Sequence, residues 1–447
     1  MATPVAASLV SASSALDEYV FLPPVPETVE DLGIPPALIE QLILKNLYFK
    51  GELTGRVLAN ILGVNFSVIE KIIDQLRRQH LVGVRSSLGM GSISSNFNLT
   101  ESGRTIARDY LENNSYTGRI PVPLDQYAVG VKLQRAKGDW LTRENLANAY
   151  RHMVITDTLL SQIGPAVNSG KSFLIYGQPG NGKSYIAEAL SHVDSAPVYV
   201  PNAIETQGQI IQIYDPVHHH RVDENDDENV LSAFASERTY DGRWYKCRRP
   251  FLVSGGELLL EQLDLSFNPS SRIYDAPMQL KANNGIYLVD DFGRQKVSPV
   301  EVLNRWIVPM ERRIDYYTFK TGGKLELPFE TFLIFSTNLR PEQLGDEAFL
   351  RRIQYKMYLR NPTKHEFASI FHRYCHSQGL RVDDEILDKF IDRHYGGGKK
   401  PFRRCHPRDL ITHAIDLMRF ERLPQVLSAE LLDRAFESTF VSEQWEA

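Results

Sequence analysis

A short apolar run, SFLIYG, passes straight into Gly177-Gln178-Pro179-Gly180-Asn181-Gly182-Lys183-Ser184 and then into a helical pattern, KSYIAEALSHV. The eight residues fit GxxxxGK[ST], and this strand, loop, helix setting constrains the fold more than any other stretch of the chain. Glycines let consecutive backbone N–H groups turn inward around phosphate oxygens, and the helix that follows points its N-terminus at the same charge. Lys183 is placed to reach the β and γ phosphates and the Ser184 hydroxyl to ligate Mg²⁺, with Tyr185 next in the first helical turn. The expectation is an ATP-binding loop over residues 177–185.

A second run, Gly285-Ile-Tyr-Leu-Val-Asp290-Asp291, reads as a buried strand ending in two acids, the pattern of a Walker B motif. Asp290 is the candidate Mg²⁺ ligand, and Asp291 the carboxylate that orients and polarises an attacking water. Other short apolar runs, APVYV, TFLIFSTN and YKMYL, alternate with helical patterns and suit fully buried parallel strands. Thr142 and Thr156 are expected to cap helices, and Ser298-Pro-Val-Glu301 reads as a capping box with proline at the first helical position.

The order of these features resembles the AAA+ ATPases from Leu141 onward. The resemblance implies a sensor 1 role for Asn338 at the end of TFLIFSTN. It implies an arginine finger at Arg351 or Arg352 in LGDEAFLRRIQYKMYL, and a sensor 2 role for Arg408 in Cys405-His-Pro-Arg-Asp-Leu410. Most relatives carry Asp-Glu where this chain has Asp290-Asp291, and the shorter second acid bears on hydrolysis rather than binding. The alternation around Gly322-Gly323 signals a hairpin just before the sensor 1 strand. With a long stretch between APVYV and Asp290, it resembles the MoxR-like branch.

At 447 residues, 43% hydrophobic and 23% charged, with a net charge of −5, the chain has the composition of a globular protein with about three domains. Three scattered cysteines exclude a disulfide framework and a CxxC site. The N-terminal segment lacks the basic and apolar regions of a secretion signal, and no run reaches the roughly 20 apolar residues of a membrane span, so a cytoplasmic location is expected. Neither a GxSxG motif nor a Cys/His pairing points to a nucleophile. His218-His219-His220 beside Asp223, Glu224, Asp226, Asp227 and Glu228 offers metal-binding residue types, though tandem histidines in a polar stretch more often form a solvated loop.

The expected fold class is α/β, a P-loop AAA+ parallel sheet with a C-terminal helical lid and an N-terminal winged-helix-like domain. The expected divisions are an extended arm (1–32), the winged-helix-like domain (33–118), a Pro-containing linker (119–140), the ATPase core (141–361) and the lid (362–447). In the third N-terminal helix Lys71, Arg77 and Arg78, with Arg85 of the wing, suit phosphate contacts, whereas Glu70 and Asp74 oppose them. That balance favours docking to protein over DNA. The resemblance implies a homo-oligomeric ring, hexameric as in the family, that hydrolyses ATP to remodel a protein client. The alternatives are a DNA-directed motor or loader, and a nucleotide-controlled scaffold with little hydrolysis.

Overall fold

The computed structural model describes residues 21–87, 92–135, 141–193, 195–222, 238–345 and 347–440. The chain divides into two compact units. One comprises Met1–Arg135, Ala196–Arg249 and Ser266–Ala276; the other comprises Ala136–Ser195, Pro250–Leu265 and Pro277–Ala447.

The second unit is an α/β fold on a five-stranded sheet. Its strands are β1 (Phe173–Tyr176), β2 (Phe251–Ser254), β3 (Ile286–Val289), β4 (Phe332–Thr337) and β5 (Tyr355–Tyr358), in the order β2-β3-β4-β1-β5 and parallel throughout. Every residue of β4 is buried, as a central strand covered on both faces requires. The edge strands β2 and β5 each expose part of their length. The order sets the C-terminal ends of β3, β4 and β1 side by side, so the acids after β3, Asn338 after β4 and the glycine loop after β1 share one sheet edge.

Helices flank this sheet where the cap signals place them. Thr142 and Thr156 accept from the backbone N–H groups of Asn145 and Leu159, and Ser298 with Glu301 closes the capping box of the Pro299–Arg312 helix. The Gly322-Gly323 alternation folds as an antiparallel hairpin, Ile314–Thr318 with Lys324–Pro328. Four helices, Lys364–Ser377, Asp384–His394, His406–Glu421 and Ala429–Thr439, enclose a core of their own around Phe367, Phe371, Phe390, Leu410 and Leu432.

The first unit opens with helices Pro36–Lys50, Gly55–Leu62 and Phe66–Arg78, followed by a three-stranded sheet in which Ser95–Leu99 lies between Leu53–Thr54 and Val82–Ser87. Ile69, Ile72, Ile73 and Leu76 of the third helix are buried, as their helical spacing requires. The unit also holds a sheet ordered Ser266–Asn268, Ile273–Asp275, Gln209–Gln212, Ala203–Thr206, Val122–Pro123.

One sequence expectation differs from this architecture. APVYV is not a strand of the parallel sheet: Val198–Pro201 pairs antiparallel with Trp244–Cys247 in the first unit, and FLVS supplies β2 instead. An apolar run reports burial, and both segments are apolar; which sheet accepts a strand depends on long-range pairing that the run does not encode. Within the stretch read as a linker (119–140), residues 122–133 carry regular structure, and 136–140 lie outside the described residues. Val122–Pro123 forms an edge strand parallel to Ala203–Thr206, and Leu124–Leu133 is a helix. Pro123 is tolerated there because an edge strand needs no N–H from it.

Candidate active site

The glycine loop of β1 is shaped by what it touches. A Cβ on Gly177 would lie 2.5 Å from the Leu359 carbonyl oxygen, so only glycine allows that approach. Gly180 has φ 79°, and a Cβ there would lie 2.7 Å from the Cys405 Sγ. The Gly180 carbonyl accepts from the Cys405 N–H at 2.9 Å. Asn181, wholly buried, donates to Asn361 Oδ1 at 2.9 Å, while its own Oδ1 lacks a hydrogen-bond partner. Gln178, Pro179 and Tyr185 are exposed; Gly182 and Ser184 are half-buried.

Lys183 is 6% exposed, and its ammonium donates to the carbonyls of Gly177 (3.1 Å) and Gln178 (3.2 Å) and to Asn338 Oδ1 (2.6 Å). The Asn338 amide in turn donates to Asp291 Oδ1 at 2.9 Å. One side-chain amide thus joins the lysine of the glycine loop to the second acid of the Asp-Asp pair. Burial lowers the Lys183 pKa, and the negative fields of Asp291 and then Asp290 oppose that shift. Asp290 accepts the Asp291 N–H at 3.0 Å. A buried cation set in a glycine-rich loop suits an anionic, phosphate-bearing ligand, and an exposed carboxylate next to it can hold and polarise a water.

Ser184, next to Lys183 in the chain, and Asp290, next to Asp291, carry hard oxygen donors, the donor chemistry that Mg²⁺ takes. Among the described residues, no group of three or more His, Cys, Asp or Glu side chains gathers as a protein-only metal site. His219, 1% exposed, accepts the Asp215 N–H on its Nδ1 and stacks on Tyr214. The acids from Asp223 to Glu228 lie outside the described residues. Burial pushes the thiols of Cys247 and Cys375 up to about 12 and that of Cys405 up to about 11, which leaves all three poor nucleophiles.

The arginines separate clearly. Arg408 does not reach the loop: it pairs with its neighbour Asp409 at 3.0 Å, and its side chain is 64% exposed. Arg403, which motif reasoning passed over, donates to Gln178 Oε1 at 3.5 Å and to Asn361 Oδ1, and its field bears on Lys183. Arg352 is held by Glu311 at 2.8 Å, whereas Arg351 is exposed. Tyr185, of the glycine-loop helix, makes an edge contact with His152 at 5.4 Å.

A family model described as "Domain of unknown function (DUF8689)" matches residues 363–438, the four-helix region. None of the curated proteins matches the chain. Among solved structures, NtrX from Brucella abortus is similar at 12% identity and a TM-score of 0.39, over 67% of this chain and 58% of NtrX. The RuvB Holliday junction branch migration motor of Thermotoga maritima is similar at 14% identity and a TM-score of 0.34, over 68% of this chain and 72% of that one. No helix among the described residues is long and apolar enough to cross a membrane.

Proposed function

We propose that the chain is an AAA+ ATPase of MoxR-like type, which binds ATP with Mg²⁺, hydrolyses it to ADP and phosphate, and works as a ring that remodels a protein partner. The observation that carries the reading is the hydrogen-bond chain Lys183–Asn338–Asp291, which draws the glycine loop, the strand-end amide and the second acid into one cluster.

In this reading the backbone of residues 177–184 cradles the phosphates, and Lys183 exchanges its carbonyl partners for phosphate oxygens. Ser184 and Asp290 hold the Mg²⁺, which supplies charge neutralisation to the phosphates when bound. Asp291 orients and polarises the attacking water, and the Asn338 amide fixes the direction of that carboxylate. Arg403, beside Gln178, takes the phosphate-sensing role that the sequence motif assigns to Arg408. Arg351, exposed, is the finger offered to a neighbouring subunit, while Arg352 stays with Glu311.

The N-terminal helices support docking to protein rather than DNA. Arg77 is paired with Asp74 at 3.0 Å and Arg85 with Glu52 at 3.3 Å, which offsets the positive charge that phosphate contacts need. The test of the central assignment is ATP binding by the full chain and by Lys183→Ala, with thermal unfolding as the check on folding. Lys183→Ala should lose ATP affinity by about 10²-fold or more, as expected when a buried charge-assisted contact is removed. Equal affinity in a folded variant would remove the glycine loop from the site.

A further inference from the structure

The Asp290–Asp291 turn carries an uncommon backbone conformation, though one that Asp adopts more readily than most residues. Asp291 has φ 48°, in the left-handed region that an ordinary side chain seldom adopts. Two anchors hold the residues just after it: the Phe292 N–H donates to the Ser336 carbonyl at 2.7 Å, and the Thr337 hydroxyl donates to the Phe292 carbonyl at 2.6 Å. Two further backbone bonds hold the acids themselves: the Asp290 N–H donates to the Ser254 carbonyl at 2.8 Å, and the Arg294 N–H to the Asp291 carbonyl at 2.9 Å.

Gln295 adds a side-chain tie. Its amide donates to the Asp290 carbonyl at 3.0 Å and to the Gly255 carbonyl, just beyond β2, at 3.3 Å. Its Oε1 accepts the Gly293 N–H at 2.8 Å. Each hydrogen bond of this half-buried carboxamide therefore goes to backbone, and together they clip the two sides of the acid turn to each other and to the neighbouring strand end. Without the clip, the turn loses its side-chain tie to Gly255 and Gly293, and the direction of the Asp291 Cα–Cβ bond, and with it the carboxylate that meets Asn338, is held less closely.

We infer that Gln295 is the positioning residue for Asp291, bracing the left-handed turn so that the carboxylate meets the Asn338 amide and the water it activates. The inference rests on the ATPase reading above. It requires that removing Gln295 act through Asp291 and not through ATP binding.

The test is a double-mutant cycle on the full chain, with phosphate release at saturating ATP and ATP affinity measured for the wild type, Gln295→Ala, Asp291→Asn and the double variant. Asn tolerates the left-handed region, so Asp291→Asn removes the charge without adding strain. Gln295→Ala should slow phosphate release by about tenfold to 10²-fold, the scale of a misplaced catalytic group, with ATP affinity within about twofold of wild type. The double variant should be no slower than Asp291→Asn alone. Gln295→Glu keeps the acceptor for Gly293 but faces two carbonyls with an anionic oxygen, and should be as slow as Gln295→Ala.

A double variant slower than Asp291→Asn by the full Gln295→Ala factor would overturn the inference. So would loss of ATP affinity in step with rate, or recovery by Gln295→Glu. If Gln295→Ala releases phosphate at the wild-type rate while Asp291→Asn is slow, the positioning role alone is wrong. If Asp291→Asn itself keeps the wild-type rate, the ATPase assignment of Asp291 fails and the positioning role fails with it.

Discussion

Arg403 and Arg408 sit close together in sequence, yet only Arg403 reaches the glycine loop. Pro407 sets the start of the helix His406–Glu421 and places Arg408 in its first turn, where the helix dipole disfavours a cation. That placement suggests an anionic partner, and Asp409 next door supplies one. Arg403 lies in the loop before the helix, and its hydrogen bond to Gln178 depends on how the four-helix region meets β1, which no local pattern encodes. Arg403→Ala should therefore weaken ATP affinity by about tenfold, the worth of one charge-assisted hydrogen bond, while Arg408→Ala stays within about twofold. Titration with a fluorescent ATP analogue measures both, and the reverse order would return the sensing role to Arg408.

Elements of the second unit were legible wherever a local rule fixes them. The capping box at Ser298, the hairpin at Gly322-Gly323 and the glycine loop each depend on residues close in sequence. Asn338 was legible as the polar residue that ends an apolar run, with its role implied by the AAA+ resemblance. Gln295 left no such mark, since a polar residue after an acid turn is ordinary until its three backbone partners are known. APVYV failed for the complementary reason: it is a strand, but its partner Trp244–Cys247 is remote in sequence.

The helix His406–Glu421 also carries a pH dependence. His406 is 8% exposed, its Nδ1 meets the Tyr395 hydroxyl at 3.1 Å, and burial pushes its pKa down from 6.5 to about 4. Between those values the unfolded chain takes up a proton that the folded chain refuses, so protonation favours unfolding. The contribution is complete above about pH 6.5 and is lost as pH falls towards 4, by at most about 3 kcal/mol. Thermal unfolding of the full chain at pH 7 and pH 5 should show a falling midpoint, and His406→Gln should reduce that fall. An unchanged pH response in His406→Gln would remove His406 as its source.

For the whole molecule, the proposed ring makes the site composite, with Arg351 of one subunit completing the ATP site of the next. Lys183→Ala and Arg351→Ala should each be inactive alone, for different reasons: a lost phosphate contact and a lost stabiliser of transition-state charge, the latter worth about 10³ to 10⁵ in rate. Mixed assemblies contain interfaces with both residues intact, so mixing should restore part of the activity once mass measurements show that subunits exchange. Exchange without recovery would mean that Arg351 does not act across an interface. The proposed ATPase site depends on Asn338, because its amide bridges Lys183 and Asp291. Steady-state phosphate release from Mg-ATP tests it most directly: the wild type should turn over, and Asn338→Ala should bind ATP but release phosphate about 10²-fold more slowly, the cost of one preorganised donor. Wild-type release from Asn338→Ala, or none from the wild type, would contradict it.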